Sequence, residues 1–575
     1  MRSCRWSYFA GVLLLIATNG CALLIPWLLK LAIESLQHQG SAGHSPAFFA
    51  WLIIAVALVQ GCIRIYSRTT LLHAGRRIEF LIREDLYARL LTLDLPFFSR
   101  ERTGDILSRF TNDLTNVRML VGFGVLNIIN TVILYLAALC LMARISLILT
   151  VTSVIPFPLM ILFVKRISTA MFHRSQKAQE ELARLTSQAE ENISASPLVK
   201  AYCREEAQIE AFRETGGRYF ESNMAMARLR GLMMPIMAGA SGAGTLIVLF
   251  LGGMRVISGA MTLGDFVAFN GYLAMLIWPT LVLGWILNLM QRGAASMLRL
   301  NHVLDARAEV REPARPANVA TLGGAIELKD LTFAYAGNGA AHIEPVLSHI
   351  SLKIPGGTKL GIVGPIGSGK STLLRLIARL YPVADGMLFM DDIDINRLPL
   401  KVLRESIGFV PQESFLFSRT VADNIGYGRA GTGEEDILEA ARLASLDDDV
   451  RRFPDGYGTI VGERGMALSG GQKQRTAIAR ALIKDPAILI LDDPLAAVDT
   501  RTEGEILAGL DSFYGERTVL ISSHRLSALA GCDLIIVLDG GRIAEQGNHE
   551  ALLALNGRYA ATWREQQLRE EIERY

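Results

Sequence analysis

Gly364, Pro365, Ile366, Gly367, Ser368, Gly369, Lys370, Ser371 and Thr372 fit the spacing G-x-x-x-x-G-K-[ST]. Glycines at those positions let successive backbone N–H groups turn toward an anion at the start of a helix. Such a loop suits a nucleoside triphosphate: Lys370 is expected at the β and γ phosphates and the Ser371 hydroxyl on a magnesium ion. The context agrees, because the apolar run Leu360–Val363 precedes the loop and a Leu/Ile/Ala/Arg helix follows it.

A second stretch, residues 468–499 (LSGGQKQRTAIARALIKDPAILILDDPLAAVD), has two ends that suit the same chemistry. Gly470 and Gly471 can bring backbone N–H groups close to an anion where a helix begins. The apolar run Ile488–Leu491 delivers two adjacent carboxylates, Asp492 and Asp493, to a strand tip. Asp492 is placed to hold magnesium, directly or through water.

These groups must be carried by more than one folding unit, since 575 residues exceed what a single core organises. A hydrophobic share of 51%, with 20% charged residues and a mean hydropathy of +0.31, points to membrane segments rather than a large soluble enzyme. A net charge of +2 gives nucleic-acid binding no support. Cys4, Cys21, Cys62, Cys140, Cys203 and Cys532 are scattered with no C-x-x-C, which indicates neither a disulfide framework nor a zinc site.

A long apolar segment runs from about Trp6 to Ile33. It continues well past Cys21, so it reads as an uncleaved membrane helix rather than a signal peptide. Further apolar spans near 48–66, 121–142, 145–164, 232–256 and 265–290 bring the total to six. The short outward loops are nearly uncharged, whereas Arg64–Arg118 holds ten arginines and no lysine, and residues 165–231 are also basic. The excess of positive charge places both long connections, and both termini, in the cytoplasm. Their helical apolar spacing predicts hairpins, whose arms of about 25 residues would reach roughly 40 Å beyond the bilayer. Residues 306–325, with mixed charge and two prolines, read as a linker, and from Ile326 short β-rich runs alternate with helical ones. The expected domains are therefore 1–305, in the membrane, and 326–575, ending in a charged helical tail.

LSGGQ followed by the strand that ends in Asp492 resembles the nucleotide-binding domain of an ABC (ATP-binding cassette) transporter. The long intracellular arms resemble those of ABC exporters. The resemblance covers the whole chain and is strongest from Ile326 to Asn548. It implies a six-helix α-helical transmembrane domain with long cytoplasmic helical extensions, fused to an α/β P-loop ABC ATPase domain. It further implies ATP-driven export of amphipathic compounds, multidrug or lipid-like, by a multi-pass protein of the bacterial inner membrane.

The resemblance also implies residue roles. Tyr335 would stack on adenine. Gln412, in VPQ, would reach the metal and the attacking water, making Ser371, Gln412 and Asp492 the metal set. His524 would contact the γ-phosphate. Ser469, Gly470, Gly471 and Gln472 form the signature, which in this family completes the ATP site of a partner chain; Asp499 belongs to the D-loop. Val461–Gly465 resembles an exporter-specific segment that senses the coupling helices. Those coupling helices would be Pro96–Leu107 and Leu198–Phe212, with Phe97, Phe98, Tyr202 and Phe212 as docking aromatics.

The pattern is broken at one place that matters. Hydrolytic chains of the family carry Glu directly after the aspartate of that strand, and this chain has Asp493. Aspartate is as acidic as glutamate but one methylene shorter, so its carboxylate would stop about 1 Å short of the attacking water. In this respect the chain resembles the MdlA-like and LmrC-like multidrug subunits, the degenerate halves of heterodimeric exporters. The expected partner is a second half-transporter with the consensus Glu. A homodimer with slow Asp-based hydrolysis and an ATP-gated membrane sensor or channel are the competing readings.

Overall fold

The computed structural model describes residues 4–37, 45–335, 344–462, 468–495 and 500–574. The chain folds as two compact units. One comprises the residues up to Leu91 with Thr103–Ala306; the other comprises Thr92–Arg102 with the chain from Arg307 onward.

Among the described residues, six helices are long and apolar enough to cross a membrane: Arg5–Gln37, Pro46–Thr92, Thr103–Ile145, Leu147–Ser194, Glu205–Ile257 and Leu263–Leu304. A bilayer core takes about 20 helical residues, so every helix after the first carries roughly as much length outside the membrane as inside it. Span and arm are thus continuous, in keeping with the long cytoplasmic helical extensions expected from the sequence. Pro46–Thr92, for example, is one uninterrupted helix. The short helices at the hairpin tips are Leu95–Arg100 and Ser196–Ala201, shorter than the segments read from sequence. Gly75 and Gly122 let two of the long helices touch, since a Cβ at Gly75 would lie 2.9 Å from the Gly122 Cα. Polar groups within the helices find partners across or along them: Asn19 donates to Asn130 at 3.0 Å, Tyr135 meets Thr280, and Tyr272 donates to the Leu23 carbonyl at 3.2 Å.

The second unit contains two sheets. β1 (Ile326–Phe333), β2 (Leu347–Ile354), β4 (Leu388–Met390) and β5 (Ile393–Asp394) form an antiparallel sheet in the order β2-β1-β4-β5. β3 (Lys359–Val363), β6 (Ile407–Val410), β7 (Ile488–Asp492), β8 (Thr518–Ser522), β9 (Leu534–Asp539) and β10 (Arg542–Gly547) form the larger one, ordered β10-β9-β3-β8-β7-β6. In it β9, β3, β8, β7 and β6 run parallel, and only β10 pairs antiparallel. β7 and β8 are buried along their whole length, as continuous Ile/Leu/Val runs covered on both faces must be. The loops that follow β3, β6, β7 and β8 leave from one edge of the sheet because those strands are parallel. That edge is where ligands bind in open α/β sheets.

Thr92–Arg102 packs within this second unit. The Asp94 carboxylate accepts the N–H groups of Glu309 (2.6 Å) and Val310 (2.8 Å), and Arg100 pairs with Glu309 at 2.6 Å. The hairpin tip is thereby fastened to the start of the linker, a connection between residues more than 200 apart in sequence.

Candidate functional site

At the end of β3 the chain turns at Gly364, where a Cβ would lie 2.2 Å from the Leu538 carbonyl oxygen of neighbouring β9, so no larger residue fits. Gly369, at φ +99°, leads into the helix Lys370–Ile377. Between them Lys370 Nζ donates to the carbonyls of Gly364 (2.7 Å) and Pro365 (3.1 Å), so the loop closes around its own ammonium group. Burial pushes the Lys370 pKa below the ordinary lysine value, while Asp493 and Asp492 pull it the other way. Pro365, Ile366, Gly367 and Ser368 form the turn, and Ile366 is almost fully exposed.

Asp492 ends β7 beside this loop. Its Oδ1 accepts the hydroxyls of Ser371 and Ser522, each at 2.8 Å, whereas its buried Oδ2 has no hydrogen-bond partner among the described residues. The Ser368 hydroxyl is likewise buried and unpartnered. Buried polar atoms are ordinarily satisfied, so an unpartnered carboxylate oxygen beside the glycine-rich loop would suit a hard cation. Among the described residues no cluster of three or more His, Cys, Asp or Glu could cage a metal alone. A single carboxylate oxygen with a neighbouring hydroxyl is what a magnesium ion would use, since it keeps several waters and takes one or two protein oxygens together with substrate phosphates.

Asp493 is buried, with φ at +49°, and its N–H donates to both the carbonyl and the hydroxyl of Ser522 at 3.0 Å. The backbone that carries this carboxylate is therefore pinned to β8. Two residues beyond Ser522, His524 is exposed on the loop that follows β8. Gln412 is exposed two residues past β6. Both leave from the same sheet edge as the phosphate loop.

Tyr335 bonds through its hydroxyl to Thr372 at 2.9 Å and stands edge-on to Tyr381 and to Phe333, each with centroids 5.1 Å away. A cavity of about 80 Å³ beside this aromatic cluster is also lined by Pro96, Ser99 and Arg100 of the hairpin tip.

Ser469 caps the helix Gly470–Leu482 in a reciprocal pair: its hydroxyl accepts the Gln472 N–H at 3.2 Å and its N–H donates to Gln472 Oε1 at 3.0 Å. Ser469 and Gly470 are exposed, so this helix start faces outward. Asp499 and residues 463–465 lie outside the described residues.

Sequence reading missed Ser522, which touches both carboxylate residues, and Arg480. Arg480, on the helix that begins with the signature, donates to the carbonyls of Asn424 and Phe415 at 2.8 Å and to Asn424 Oδ1 at 2.9 Å. It also lies over the rings of Phe417 and Tyr427. It thus ties the signature helix to the segment just past Gln412. Arg480→Ala removes three hydrogen bonds, leaving Asn424 Oδ1 only the Phe417 N–H, and is expected to cost about 3 kcal/mol of ATPase-domain stability, read as a lowered melting temperature by calorimetry. Arg480→Lys should recover little, because one ammonium group cannot span the same acceptors.

The geometry finds its counterparts among known proteins. Residues 8–280 match the family model of the ABC transporter transmembrane region, and residues 347–496 that of the ABC transporter. The chain is 36% identical over 562 residues to the multidrug resistance-like ATP-binding protein MdlA of Escherichia coli, covering 98% of this chain and 94% of that one. It is 35% identical over 562 residues to the "probable multidrug resistance ABC transporter ATP-binding/permease protein YheI" of Bacillus subtilis, covering 98% and 95%. A solved structure of a bacterial Atm1-family ABC exporter with ATP bound aligns over 98% of both chains with a TM-score of 0.79 at 29% identity.

Proposed function

This chain belongs to the ABC transporter family, as an exporter in which a membrane domain and an ATPase domain share one polypeptide, and on that premise we propose that it is the weakly hydrolytic half of a heterodimer. It is a multi-pass membrane protein, and its ATPase domain couples ATP hydrolysis to export.

In this reading the protein lies in the inner membrane. The excess of arginine in the long helical arms keeps the ATPase domain and both termini in the cytoplasm. Its cargo is amphipathic, in keeping with the multidrug names of the relatives. Two ATPase domains pair head to tail. This chain supplies Lys370, Ser371, Asp492 and Tyr335 to one ATP and presents Ser469, Gly470, Gly471 and Gln472 to the ATP of its partner. Magnesium, held by Ser371, Asp492 and Gln412, would neutralise phosphate charge. Lys370 and the loop N–H groups bind the triphosphate, and Tyr335 orients the base. Asp493 faces the water with a side chain too short to take its proton well. Closure of the two domains on ATP is passed to the membrane helices through the hairpin tips.

The single observation that carries the heterodimer reading is Asp493, on a backbone that Ser522 holds in place. The test compares ATP turnover by the purified chain in lipid nanodiscs, alone and with a half-transporter whose corresponding position is Glu. The chain alone is expected to turn over at least about 10-fold more slowly than the pair. Brisk turnover with cargo transport by the chain alone would put a homodimer in its place.

A further inference from the structure

The charged C-terminal helix, Arg558–Arg574, has no part in the reading above, yet one of its side chains reaches the loop that carries His524. Tyr559 is buried and bonds through its hydroxyl to His549 Nδ1 at 2.8 Å, and the Trp563 ring packs edge-on against His549. One turn further along the same face, Gln566 is half-buried, while Arg564, Glu565, Gln567, Leu568 and Arg569 are exposed. Gln566 Nε2 donates to the His524 carbonyl at 2.7 Å, and Gln566 Oε1 accepts the Leu526 N–H at 2.9 Å. One amide therefore holds the loop on both sides of Arg525.

Around that clamp lies a cavity of about 550 Å³, lined by Gly364, Pro365, His524 and Leu526 on one side and by the C-terminal helix on the other. Leu526 is itself buried in the core and Arg525 pairs with Glu503, but the cavity leaves the exposed His524 with the Gln566 amide as a direct hold on its carbonyl. We propose that Gln566 is a positioning residue for the ATPase reaction, fixing the backbone of His524 so that its ring meets the γ-phosphate. The C-terminal helix then acts as a strut for the γ-phosphate sensor. This rests on His524 being that sensor.

The test uses the full-length exporter in nanodiscs, assembled with whatever partner it requires, and reads the affinity for ATP relative to ADP with a fluorescent analogue of each. The ATP analogue is non-hydrolysable, so the result does not depend on Asp493 or on the partner's base. Gln566→Met keeps the volume and removes both hydrogen bonds. It is expected to lower the ATP-over-ADP preference about 10-fold through the ATP term, with ADP affinity unchanged. Gln566→Glu keeps the acceptor for Leu526 but sets a carboxylate against the His524 carbonyl, and should fall as far. Gln567→Met, exposed one residue along, should behave as the native chain in nucleotide preference and melting temperature, whereas the Gln566 variants lower the melting temperature by only a few degrees and stay folded. If His524→Ala abolishes the preference and Gln566→Met does not, the clamp is overturned while the sensor stands. If His524→Ala changes nothing, both are overturned. Equal losses in Gln566→Met and Gln567→Met would assign the effect to the helix at large and overturn the clamp.

Discussion

Replacing Asp493 with Glu is expected to raise hydrolysis at this chain's own site by about 100-fold in the assembled exporter, since a 1 Å misplacement of a reacting group costs on that order. The backbone at Asp493 cannot advance to make up the missing methylene, because its N–H is held by both the carbonyl and the hydroxyl of Ser522 at 3.0 Å. Only a longer side chain closes the distance. The gain has a cost: φ at +49° is tolerated more readily by Asp than by Glu, so stability should drop by about 1 kcal/mol. Asp493→Asn is the control, and should change total turnover little if Asp493 is already a poor base. The measurement is phosphate release, with the partner's own base inactivated so that the site of Asp493 is read alone. An unchanged rate in Asp493→Glu would remove the short side chain as the cause of slow hydrolysis. A collapse in Asp493→Asn would make Asp493 a working base and favour the homodimer.

The glycine-rich loop after β3 and the strand that ends in Asp492 were legible in the sequence because their form is local. Gly364 to Thr372 specify a loop through their own spacing, and Ile488–Leu491 announces a buried strand that must end near Asp492. The six membrane helices were legible from apolar length and their long extensions from helical spacing, but where each helix ends was not. Charge marks where a helix leaves the lipid and gives no sign that the helix stops there, as the unbroken run Pro46–Thr92 shows. Contacts between distant segments left no local trace. Ser522 reaches Asp492 across 30 residues, Arg480 reaches Phe415 across 65, and Asp94 reaches Glu309 across 215. Gln566 lay in a stretch rich in Glu and Arg, where helix formation is readable but the partner of Gln566 depends on the loop it meets. Parallel strand order converts such separations into neighbourhood, and strand order is not written in any one strand.

Lys370→Ala is expected to weaken ATP binding by about 100-fold, the effect of losing roughly 3 kcal/mol of charge-assisted hydrogen bonding. In the structure Lys370 Nζ is already inside the phosphate loop, donating to the carbonyls of Gly364 and Pro365. An arriving triphosphate exchanges those neutral acceptors for anionic ones without the side chain having to be recruited from solvent. The pH dependence gives a second readout. Burial holds the free Lys370 pKa below the ordinary lysine value, which disfavours its charged form before ATP arrives. Anionic phosphates around the bound ammonium raise that pKa, so binding takes up a proton once the free lysine has begun to lose its own. Native affinity should accordingly be flat below the lowered pKa and fall as pH climbs from there toward the bound value; by the same linkage, the desolvation penalty on the free protein is relieved over that rise. In Lys370→Ala the alkaline fall should vanish along with most of the affinity, as isothermal titration across that range would show. A variant that bound weakly yet kept the alkaline fall would place the titrating cation elsewhere in the loop.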